Sequence, residues 1–529
     1  MDIIEHPGYI TSLQITLPYQ SDPLALYRRL CQHHAHNLLL DSAEINSREN
    51  LKSLLMVDAA LQIVCNDQTV DITALTNNGE QLLPWLAEQL AAHAELTREV
   101  NKLTCVFERP DTDADEDSRL RATSNIEPLR IIQQQLQQTQ PHPLGIFLGG
   151  VFGYDYIASF EQLPDVAEGV NCCPDYHFYL AETLIIIDHQ QQTTELLANL
   201  FSGPDSADFY PYIADQVGRI VAQCQLPCRL EPASAPSAEF DTEVTATPTA
   251  SDFATIVTEL QQHILAGDIF QVVPSRRFEL NCNDALAAYQ RLKVANPSPY
   301  MFFMRTDSFE LFGASPESAL KYTAATNQVE LYPIAGTRPR GKDADGNYHP
   351  DLDSRLELEL RLDQKELAEH MMLVDLARND LSRIARAGTR YVADLLQVDR
   401  YSHVMHLVSR VVAQLADDLD ALHAYRACMN MGTLVGAPKV SAATLIRQVE
   451  QQRRGSYGGA VGYLSGNGDM DSCIVIRSAF VRNGRAVVQA GAGVVHDSIP
   501  AAEVAETESK ARAVIKAIQD AQRSTEAAS

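Results

Sequence analysis

Residues 363–380 read DQKELAEHMMLVDLARND, and residues 501–512 read AAEVAETESKAR. Both segments read as helices, and each places two carboxylates three residues apart on one helix face, Glu366 with Glu369 and Glu503 with Glu506. Two such faces brought together would form an all-oxygen cage, which suits a hard cation such as Mg²⁺. Acid pairs on single helices are more often simply a solvated side, so each segment alone favours that plainer interpretation.

Outward from these helices the sequence alternates between helical patterns and hairpin-like pairs of short strands. It predicts helices over residues 253–266 and 354–387, and strands near residues 302–312, 400–412, 460–465, 472–481 and 486–490. Repeating βαβ units are not evident. The pattern favours an α+β fold in which mostly antiparallel sheets are covered by helices.

Residues 231–251, EPASAPSAEFDTEVTATPTAS, are rich in Ala, Pro, Ser and Thr and form the best candidate for a linker. This segment divides the chain into an N-terminal part, residues 1–230, and a C-terminal part, residues 252–529. A length of 529 residues leaves open both two subdomains and one large elaborated domain. We expect the active site in the C-terminal part, which holds more glycine turns and chemically specific residues.

The charge balance limits the classes of partner. With 42 basic and 69 acidic residues, the net charge of −27 disfavours nucleic acid, and a small anionic substrate would need a local cation to hold it. The ten cysteines show no paired CxxC spacing and read as reduced thiols. No signal-like N-terminus and no apolar run of 18 residues is found, which predicts a cytoplasmic protein without a membrane segment.

Arg477 lies in residues 472–480, SCIVIRSAF, where strand alternation would place it on one side with Cys473 and Val475. A guanidinium among small apolar neighbours needs an anionic partner, because a buried unpaired charge is costly. That partner is either a structural carboxylate or the carboxylate of a substrate. The strand alone leaves both open.

Two glycine-containing turns could contact a ligand. Gly491, Ala492 and Gly493 end a strand in QAGAGVV, where backbone N–H groups could approach an oxyanion. Residues 333–341, PIAGTRPRG, form a stiff turn that could fix the hydroxyl of Thr337. Each motif alone is more commonly just a tight turn.

His406 lies in YSHVMHLVSRV, which alternates like a strand and places His406 on the face of Val404 and Val408. A neutral core histidine is the ordinary role for such a position. The presence of the paired acids and Arg477 in the same sequence favours a role for His406 in proton transfer.

Taken together, these motifs resemble the chorismate-utilising enzymes. The match runs in order from about residue 261 to the C-terminus, and its motifs are GASPES from Gly313, PIAGTRPRG, ELAEHMMLVDLARNDL, the His406 strand, MGTLVGAPK from Met431, RGSYGGAVGYL from Arg454, QAGAGVV and ETESKA. The resemblance implies an α+β fold, a large sandwich of mostly antiparallel β-sheets enclosed by helices.

Within this family the sequence is most similar to the anthranilate synthase large subunits. Relatives that attack chorismate with water carry a lysine base where this chain has Gln271, and a neutral amide cannot serve that role. Aminodeoxychorismate synthases commonly carry a nucleophilic lysine where this chain has Ala335, and a methyl group cannot attack carbon. LLLDSAE, from Leu38, and NPSPYMFF, from Asn296, are similar to the paired motifs of the family's tryptophan inhibitor site.

The resemblance implies that chorismate and ammonia are converted into anthranilate and pyruvate with Mg²⁺, the first step of tryptophan synthesis. No GxCxG-like elbow with a matching histidine is found, so ammonia from glutamine would require a separate glutamine amidotransferase subunit in a hetero-oligomer. Tryptophan would be the feedback inhibitor. The alternatives are an aminodeoxychorismate synthase component and a non-catalytic, tryptophan-sensing subunit.

The resemblance also implies roles for individual residues. Glu369 and Glu506 would bind Mg²⁺, with Glu366 and Glu503 beside them, directly or through water. Chorismate would be held by Gly336, Thr337, Tyr457, Arg477, Gly491, Ala492, Gly493 and Lys510. Glu317 would act as the general acid for loss of the C4 hydroxyl, and His406 would act in the elimination of pyruvate. The inhibitor would contact Asp41, Ser42, Lys52, Pro299, Tyr300 and Met301, with Asp41 standing where the family usually has Glu.

Overall fold

The computed structural model describes residues 6–42, 51–111, 113–203, 205–226, 243–343, 347–401 and 404–526. The strands in these ranges are β1 (Tyr9–Leu17), β2 (Asn37–Asp41), β3 (Lys52–Asn66), β4 (Thr69–Ala74), β5 (Glu95–Arg98), β6 (Lys102–Val106), β7 (Gln137–Gln138), β8 (Phe147–Phe152), β9 (Tyr176–Asp188), β10 (Thr193–Phe201), β11 (Thr245–Thr247), β12 (Gln271–Val272), β13 (Ser275–Asn281), β14 (Tyr300–Arg305), β15 (Glu310–Ser315), β16 (Ser318–Thr323), β17 (Gln328–Leu331), β18 (Ile334–Pro339), β19 (Tyr391–Arg400), β20 (Val404–Gln414), β21 (Gly436–Ala437), β22 (Ala460–Ser465), β23 (Met470–Ile474), β24 (Ser478–Arg482) and β25 (Arg485–Gly491).

The helices in the same ranges are α1 (Pro23–Cys31), α2 (Asn77–Glu80), α3 (Leu83–Leu90), α4 (Glu116–Arg121), α5 (Glu127–Gln135), α6 (Ser206–Cys224), α7 (Ala250–Ala266), α8 (Ala285–Ala295), α9 (Pro350–Leu362), α10 (Gln364–Ser382), α11 (Ala421–Cys428), α12 (Lys439–Glu450) and α13 (Pro500–Glu526). The predicted α+β class is confirmed.

Two layers of antiparallel strands share the long strands β3 and β9. One layer continues from β9 through β8, β22, β23 and β16, and the other from β3 through β2, β14, β15, β24, β25 and β13. The β3–β9 register shifts between Met56 and Leu61, where both strands pass from one layer to the other. All these strands pair antiparallel, as predicted.

An apolar core made almost wholly of strand residues lies between the two layers. It contains Met56, Phe302 and Leu311 from one layer and Tyr179 and Val461 from the other. A second core packs α1, α6, α8 and α13 on the outside of one layer, and a third packs α3, α5, α10 and α11 on the outside of the other. Helices therefore enclose a β-sandwich, and burial of these apolar faces supplies its main stabilisation.

The two parts on either side of the predicted linker share this sandwich. Strand β2 pairs with β14, and β8 pairs with β22. Residues 231–242 of the linker lie outside the described residues, whereas Thr245–Thr247 form β11 and pair with β13. The boundary between the parts therefore stays a prediction.

The predicted helix over residues 354–387 is wrong in its extent, because it is two helices, α9 and α10. The chain turns at Asp363, whose carboxylate accepts hydrogen bonds from the backbone N–H groups of Lys365 at 3.0 Å and Glu366 at 3.2 Å. An aspartate in this position caps a helix N-terminus and ends the run of the helix before it.

The predicted strand over residues 472–481 is also interrupted. Strand β23 ends at Ile474 and β24 begins at Ser478, and Arg477 between them has a positive φ of 50°. A left-handed residue cannot continue the alternation of a strand. The expected sharing of one strand face by Cys473, Val475 and Arg477 is therefore wrong.

Within the described ranges, no helix is both long enough and apolar enough to cross a bilayer.

Asp420, in the C-terminal part, forms an ion pair with Arg130 in the N-terminal part. It caps α11 by accepting from the His423 N–H at 2.9 Å, and it accepts from Arg130 Nε of α5 at 2.6 Å. Burial raises the pKa of Asp420, but hydrogen bonds from His423 and the charge of Arg130 outweigh burial and hold the pKa well below its ordinary value. The ion pair therefore stabilises the fold above about pH 4, the ordinary range of an aspartate, and loses its effect on acidification.

We expect Asp420→Ala to lower the free energy of unfolding by about 2 kcal/mol at pH 7, because it leaves the largely buried Arg130 with only Glu127 of its two carboxylate partners and uncaps α11. Urea denaturation at pH 7 and pH 3 measures the effect, which should shrink at pH 3. Asp418→Ala is the matched control, since Asp418 is 58% exposed and pairs with Arg121 at the surface; its effect should stay below about 1 kcal/mol. Equal losses in the two variants would contradict the assignment.

Candidate functional site

The four predicted metal-binding acids come together from α10 and α13. Burial, followed by repulsion from Glu366, Glu506 and Glu503, raises the pKa of Glu369, and Lys365 partly offsets this. Burial and repulsion from Glu506 raise the pKa of Glu503 in the same way. Carboxylates that repel one another in a half-buried place create a strong local attraction for a cation.

Three of these acids are neutralised by side-chain cations in the structure. Glu366 accepts from Arg338 Nη1 at 3.1 Å, Lys365 Nζ lies 3.8 Å from Glu369, and Lys510 Nζ lies 2.6 Å from Glu506. Across the described ranges, no three His, Cys, Asp or Glu side chains already stand at metal-ligand spacing. The donor set, which consists of carboxylate oxygens, fits Mg²⁺, and binding would exchange these ion pairs for bonds to the metal.

Arg477 lies where the two sheet layers meet this acidic site. Its guanidinium forms no hydrogen bond or ion pair with the residues that the structure describes. Burial lowers its pKa, and the nearby Tyr457, Glu506 and Glu317 oppose that effect. An arginine that lacks a close partner, yet stays charged, is prepared to bind a carboxylate from outside the protein.

Tyr457 and the 491–493 turn form one wall of the site. Burial raises the pKa of Tyr457 to about 12, so it is a neutral hydrogen-bond donor. A Cβ at Gly491 would lie 3.0 Å from the Tyr457 hydroxyl and 2.8 Å from the Pro274 carbonyl oxygen, and one at Gly493 would lie 3.0 Å from the Gln271 amide nitrogen. At Gly491, where the nearest atom is a backbone oxygen, only glycine lets the chain pass this closely.

The amides of this turn differ in their availability to a ligand. The Ala492 N–H donates to the Pro274 carbonyl at 3.1 Å. The Gly493 N–H forms no hydrogen bond with any described residue. Of these two amides, Gly493 is therefore the one free to meet an oxyanion, and Ala492 contributes its position in the turn.

Gly336, Thr337 and His406 meet across β18 and β20. Gly336 has a φ of +80° at a shift in the register, and Thr337 pairs with His406, whose Nδ1 lies 3.0 Å from the Thr337 hydroxyl oxygen. Burial and the charge of Arg477 lower the pKa of His406 to about 4, although a hydrogen bond to the Gly336 backbone opposes them. His406 is therefore neutral at pH 7 and able to accept a proton.

Glu317 follows β15 at the inner end of the site and is only 8% exposed. Burial raises its pKa to about 7, although the Thr433 hydroxyl, Lys510 and Arg477 pull it down. Thr433 Oγ1 donates to the carboxylate at 3.0 Å. A carboxyl group that exchanges its proton near neutral pH suits a general acid.

Lys510 connects the acids to the glycine turn. Besides its ion pair with Glu506, its Nζ donates to the Gly491 carbonyl oxygen at 3.0 Å. The lysine is thus held between the four predicted metal-binding acids and the wall that carries Tyr457.

The predicted inhibitor residues also come together, at the seam between β2, β3 and β14. Met301 of β14 lies opposite Asp41 of β2, with Pro299 and Tyr300 just before it. The β2–β3 register of Leu40 with Leu54 places Ser42 beside Lys52 when continued by two residues. Asp41 is buried, accepts from Ser53 Oγ at 2.5 Å and forms an ion pair with Lys293 of α8.

Sequence reasoning missed three residues that hold the acids in place: Arg338 beside Glu366, Thr433 beside Glu317, and Lys293 beside Asp41. Arg338 and Thr433 lie inside motifs that had been recognised, and Lys293 lies just before one. The signal that could have found Arg338 and Lys293 is electrostatic, because buried carboxylates require partner cations.

The chain is similar in sequence and in fold to known proteins. The profile of the family described as chorismate binding enzyme matches residues 91–516. Anthranilate synthase component 1 of Vibrio cholerae is 58% identical over 506 residues, 96% of each chain. The crystal structure of anthranilate synthase component I from Streptococcus pneumoniae has a TM-score of 0.68 at 27% identity and covers 93% of this chain and 97% of that one. The menaquinone-specific isochorismate synthase of Escherichia coli shares the fold, with a TM-score of 0.66 at 17% identity over 98% of this chain and 96% of its own.

We expect Glu317→Gln to raise the melting temperature at pH 8 and to leave it nearly unchanged at pH 4. The folded protein holds the Glu317 proton up to about pH 7, whereas an unfolded glutamate loses it near 4.5, so ionising the buried group costs stability as pH rises between these values. The difference corresponds to about 3 kcal/mol. Calorimetry at both pH values measures it.

Glu330→Gln is the contrasting control. Hydrogen bonds from Tyr332 and Arg410 outweigh burial and lower the pKa of Glu330, so its replacement should lower the melting temperature at pH 8. A Glu317→Gln variant that melts below the unmodified protein at pH 8 would contradict the raised pKa.

Proposed function

This chain belongs to the family of chorismate binding enzymes, and we propose that it aminates chorismate with ammonia and eliminates pyruvate to give anthranilate. The observation that carries the proposal is the unpaired Arg477 guanidinium between a cluster of four acids and the protonatable Glu317. This arrangement suits a substrate with two carboxylates, one for the arginine and one for a metal. The 58% identity to anthranilate synthase component 1 of Vibrio cholerae supports the choice of reaction.

Arg477 and Tyr457 are placed to take the enolpyruvyl carboxylate. Gly336, Thr337 and the free N–H of Gly493 line the rest of the site. Glu369 and Glu506, with Glu366 and Glu503 beside them, would hold Mg²⁺. When bound, the ion would neutralise the negative charge of the ring carboxylate. Lys510 adds a further positive charge beside that carboxylate.

The first step is addition of ammonia at ring C2 while the C4 hydroxyl departs. Glu317, which carries its proton near neutral pH, donates it to the leaving oxygen so that water is released. In the second step the aminated ring loses its C2 proton and the C3–O bond breaks, so the ring becomes aromatic and enolpyruvate leaves. The enolpyruvate takes up one proton at its methylene carbon to become pyruvate. Neutral His406 is placed to accept the C2 proton.

Two residues support amination over related reactions. Gln271 faces Gly493 with its amide nitrogen, and an amide cannot activate water as a lysine base would. Ala335, which pairs with Leu407 in the sheet, offers no nucleophile for the route to aminodeoxychorismate.

The relatives named component 1 imply a second component, and we take it to be a glutamine amidotransferase subunit that delivers ammonia within a hetero-oligomer. We place the assembly in the reducing cytoplasm, because the nine cysteines within the described ranges are all free thiols. Tryptophan is proposed as the feedback inhibitor at the Asp41–Met301 seam.

The purified chain with chorismate, Mg²⁺ and ammonium, without glutamine, should form anthranilate and pyruvate in equal amounts, followed by anthranilate fluorescence and a coupled pyruvate assay. We expect His406→Ala to slow pyruvate release about 100-fold or more, because the proton acceptor is lost. His263→Ala, at an exposed histidine paired with Asp268, serves as the control and should behave as the unmodified chain.

Formation of 4-amino-4-deoxychorismate without pyruvate would favour the aminodeoxychorismate reaction, and tryptophan binding without any turnover would favour a sensor.

The inhibitor site makes a separate prediction. Because the Asp41 carboxylate is buried and already paired with Lys293, an incoming ammonium group must share it, and Asp41→Asn should weaken tryptophan binding at least tenfold. Calorimetric titration with tryptophan measures this. Asp71→Asn, at a surface aspartate paired with Lys102, is the matched control. Equal affinity in the two variants would remove Asp41 from the site.

A further inference from the structure

A cavity of about 320 Å³ lies behind the Tyr457 wall, outside the proposed chorismate site. Its floor is the sheet face of β11, β13 and β25, and its roof is the C-terminal end of α12. The residues that matter for its chemistry are Ser275, Arg277, Glu450 and Gln489 within it, with Glu168 at its rim.

Arg277 enters this cavity without a partner. The residue is 9% exposed, its Nε is buried without a hydrogen bond, and the guanidinium forms no ion pair or hydrogen bond with the part of the chain that the structure describes. Burial lowers the pKa of Arg277, and the charges of Glu450 and Glu279 oppose that effect from a distance. A buried guanidinium is costly unless an anion meets it, so the side chain is unusual for a purely structural role.

Gln489 supplies a buried acceptor that is also without a partner. Its Nε2 donates to Ser275 Oγ at 2.8 Å, and Ser275 Oγ donates its single hydrogen to Glu450 at 2.7 Å. Because that hydrogen is used, Ser275 can only accept from Gln489, which fixes the orientation of the amide. The Gln489 Oε1 is thereby turned away from Ser275 and remains buried without a donor.

These two groups are neighbours. Arg277 and Gln489 lie directly opposite each other on β13 and β25, with Thr247 of β11 in the same row, so the side chains stand on one face within a few ångströms. Glu450 is saturated by Ser275 and by both ends of the Arg454 fork. The positive charge that faces the cavity is therefore that of Arg277, beside a neutral acceptor and an acidic rim.

We propose that this cavity is a binding site for a small zwitterion of the α-amino acid type, whose carboxylate meets the terminal nitrogens of Arg277 and whose ammonium group meets Gln489 Oε1 once a small side-chain shift uncovers that oxygen. The cavity volume leaves room for a side chain. Arg454 separates the site from chorismate, since it donates to the Val273 carbonyl at 2.6 Å and stacks near Tyr457. The proposal does not depend on the chorismate chemistry, and Arg277 has no part in that mechanism.

The test is calorimetric and ligand-observed NMR titration of the full chain with L-alanine, L-serine, L-glutamine and L-glutamate, and with propionate and isopropylamine as half-molecules. At least one amino acid should bind more tightly than either half-molecule by tenfold or more. Arg277→Met and Gln489→Leu should each weaken that binding at least tenfold. Arg485→Met, at an exposed arginine on the same sheet, should leave it unchanged.

Melting of the unliganded variants separates this role from a structural one. Removal of an unpaired buried charge should leave the melting temperature of Arg277→Met equal to or above that of the unmodified chain, while chorismate turnover with ammonium is retained. A melting temperature lowered by several degrees would make Arg277 structural and overturn the proposal. So would a failure of the whole panel to bind, binding that Arg277→Met does not affect, or propionate binding as tightly as the amino acids.

Discussion

The antiparallel pairing of β3 with β9 is the constraint on which the rest of the architecture depends. These are long strands, of fifteen and thirteen residues, and their shifted register lets one pair belong to two layers at once. One layer extends from β3 to β14 and β24, and the other extends from β9 to β22 and β23. Arg477 lies between β23 and β24, where the two layers meet, so the position of the site follows from the bend in β3 and β9.

Electrostatics explains how an acidic chain can attract an acidic substrate. The net charge of −27 is spread over the molecule, but the acids at the site are arranged in pairs with Arg338, Lys365 and Lys510. These cations offset part of the repulsion within the cluster when no metal is bound. The side chains of these three cations are at least partly exposed, so their ion pairs are weak and each cation could leave its acid to pair with another anion.

Much of the site could be predicted from local spacing. The acid pairs depend only on helical periodicity, and His406 on the alternation of one strand, so both could be found without a fold. Arg477 was identified as a charge that needs an anionic partner, with a structural carboxylate and a substrate both left open. Its place in a break between strands was not predicted, since periodicity cannot reveal one left-handed residue. The division of the long acidic helix at Asp363 was missed for a different reason, because its capping carboxylate looks like one more acid in an acidic run. Contacts between distant segments, such as Asp41 with Lys293, carry no local signal at all.

The pairing of β2 with β14 has one further consequence. Asp41 lies opposite Met301, Met301 lies opposite Ala314 of β15, and the Ala314 N–H donates to the Arg477 carbonyl oxygen at 3.1 Å. The predicted inhibitor residue and the proposed substrate-binding arginine therefore lie at the two ends of a row of three main-chain contacts. Because these contacts join main-chain atoms, exchange of the intervening side chains for others that keep the strands paired would leave the row of contacts intact.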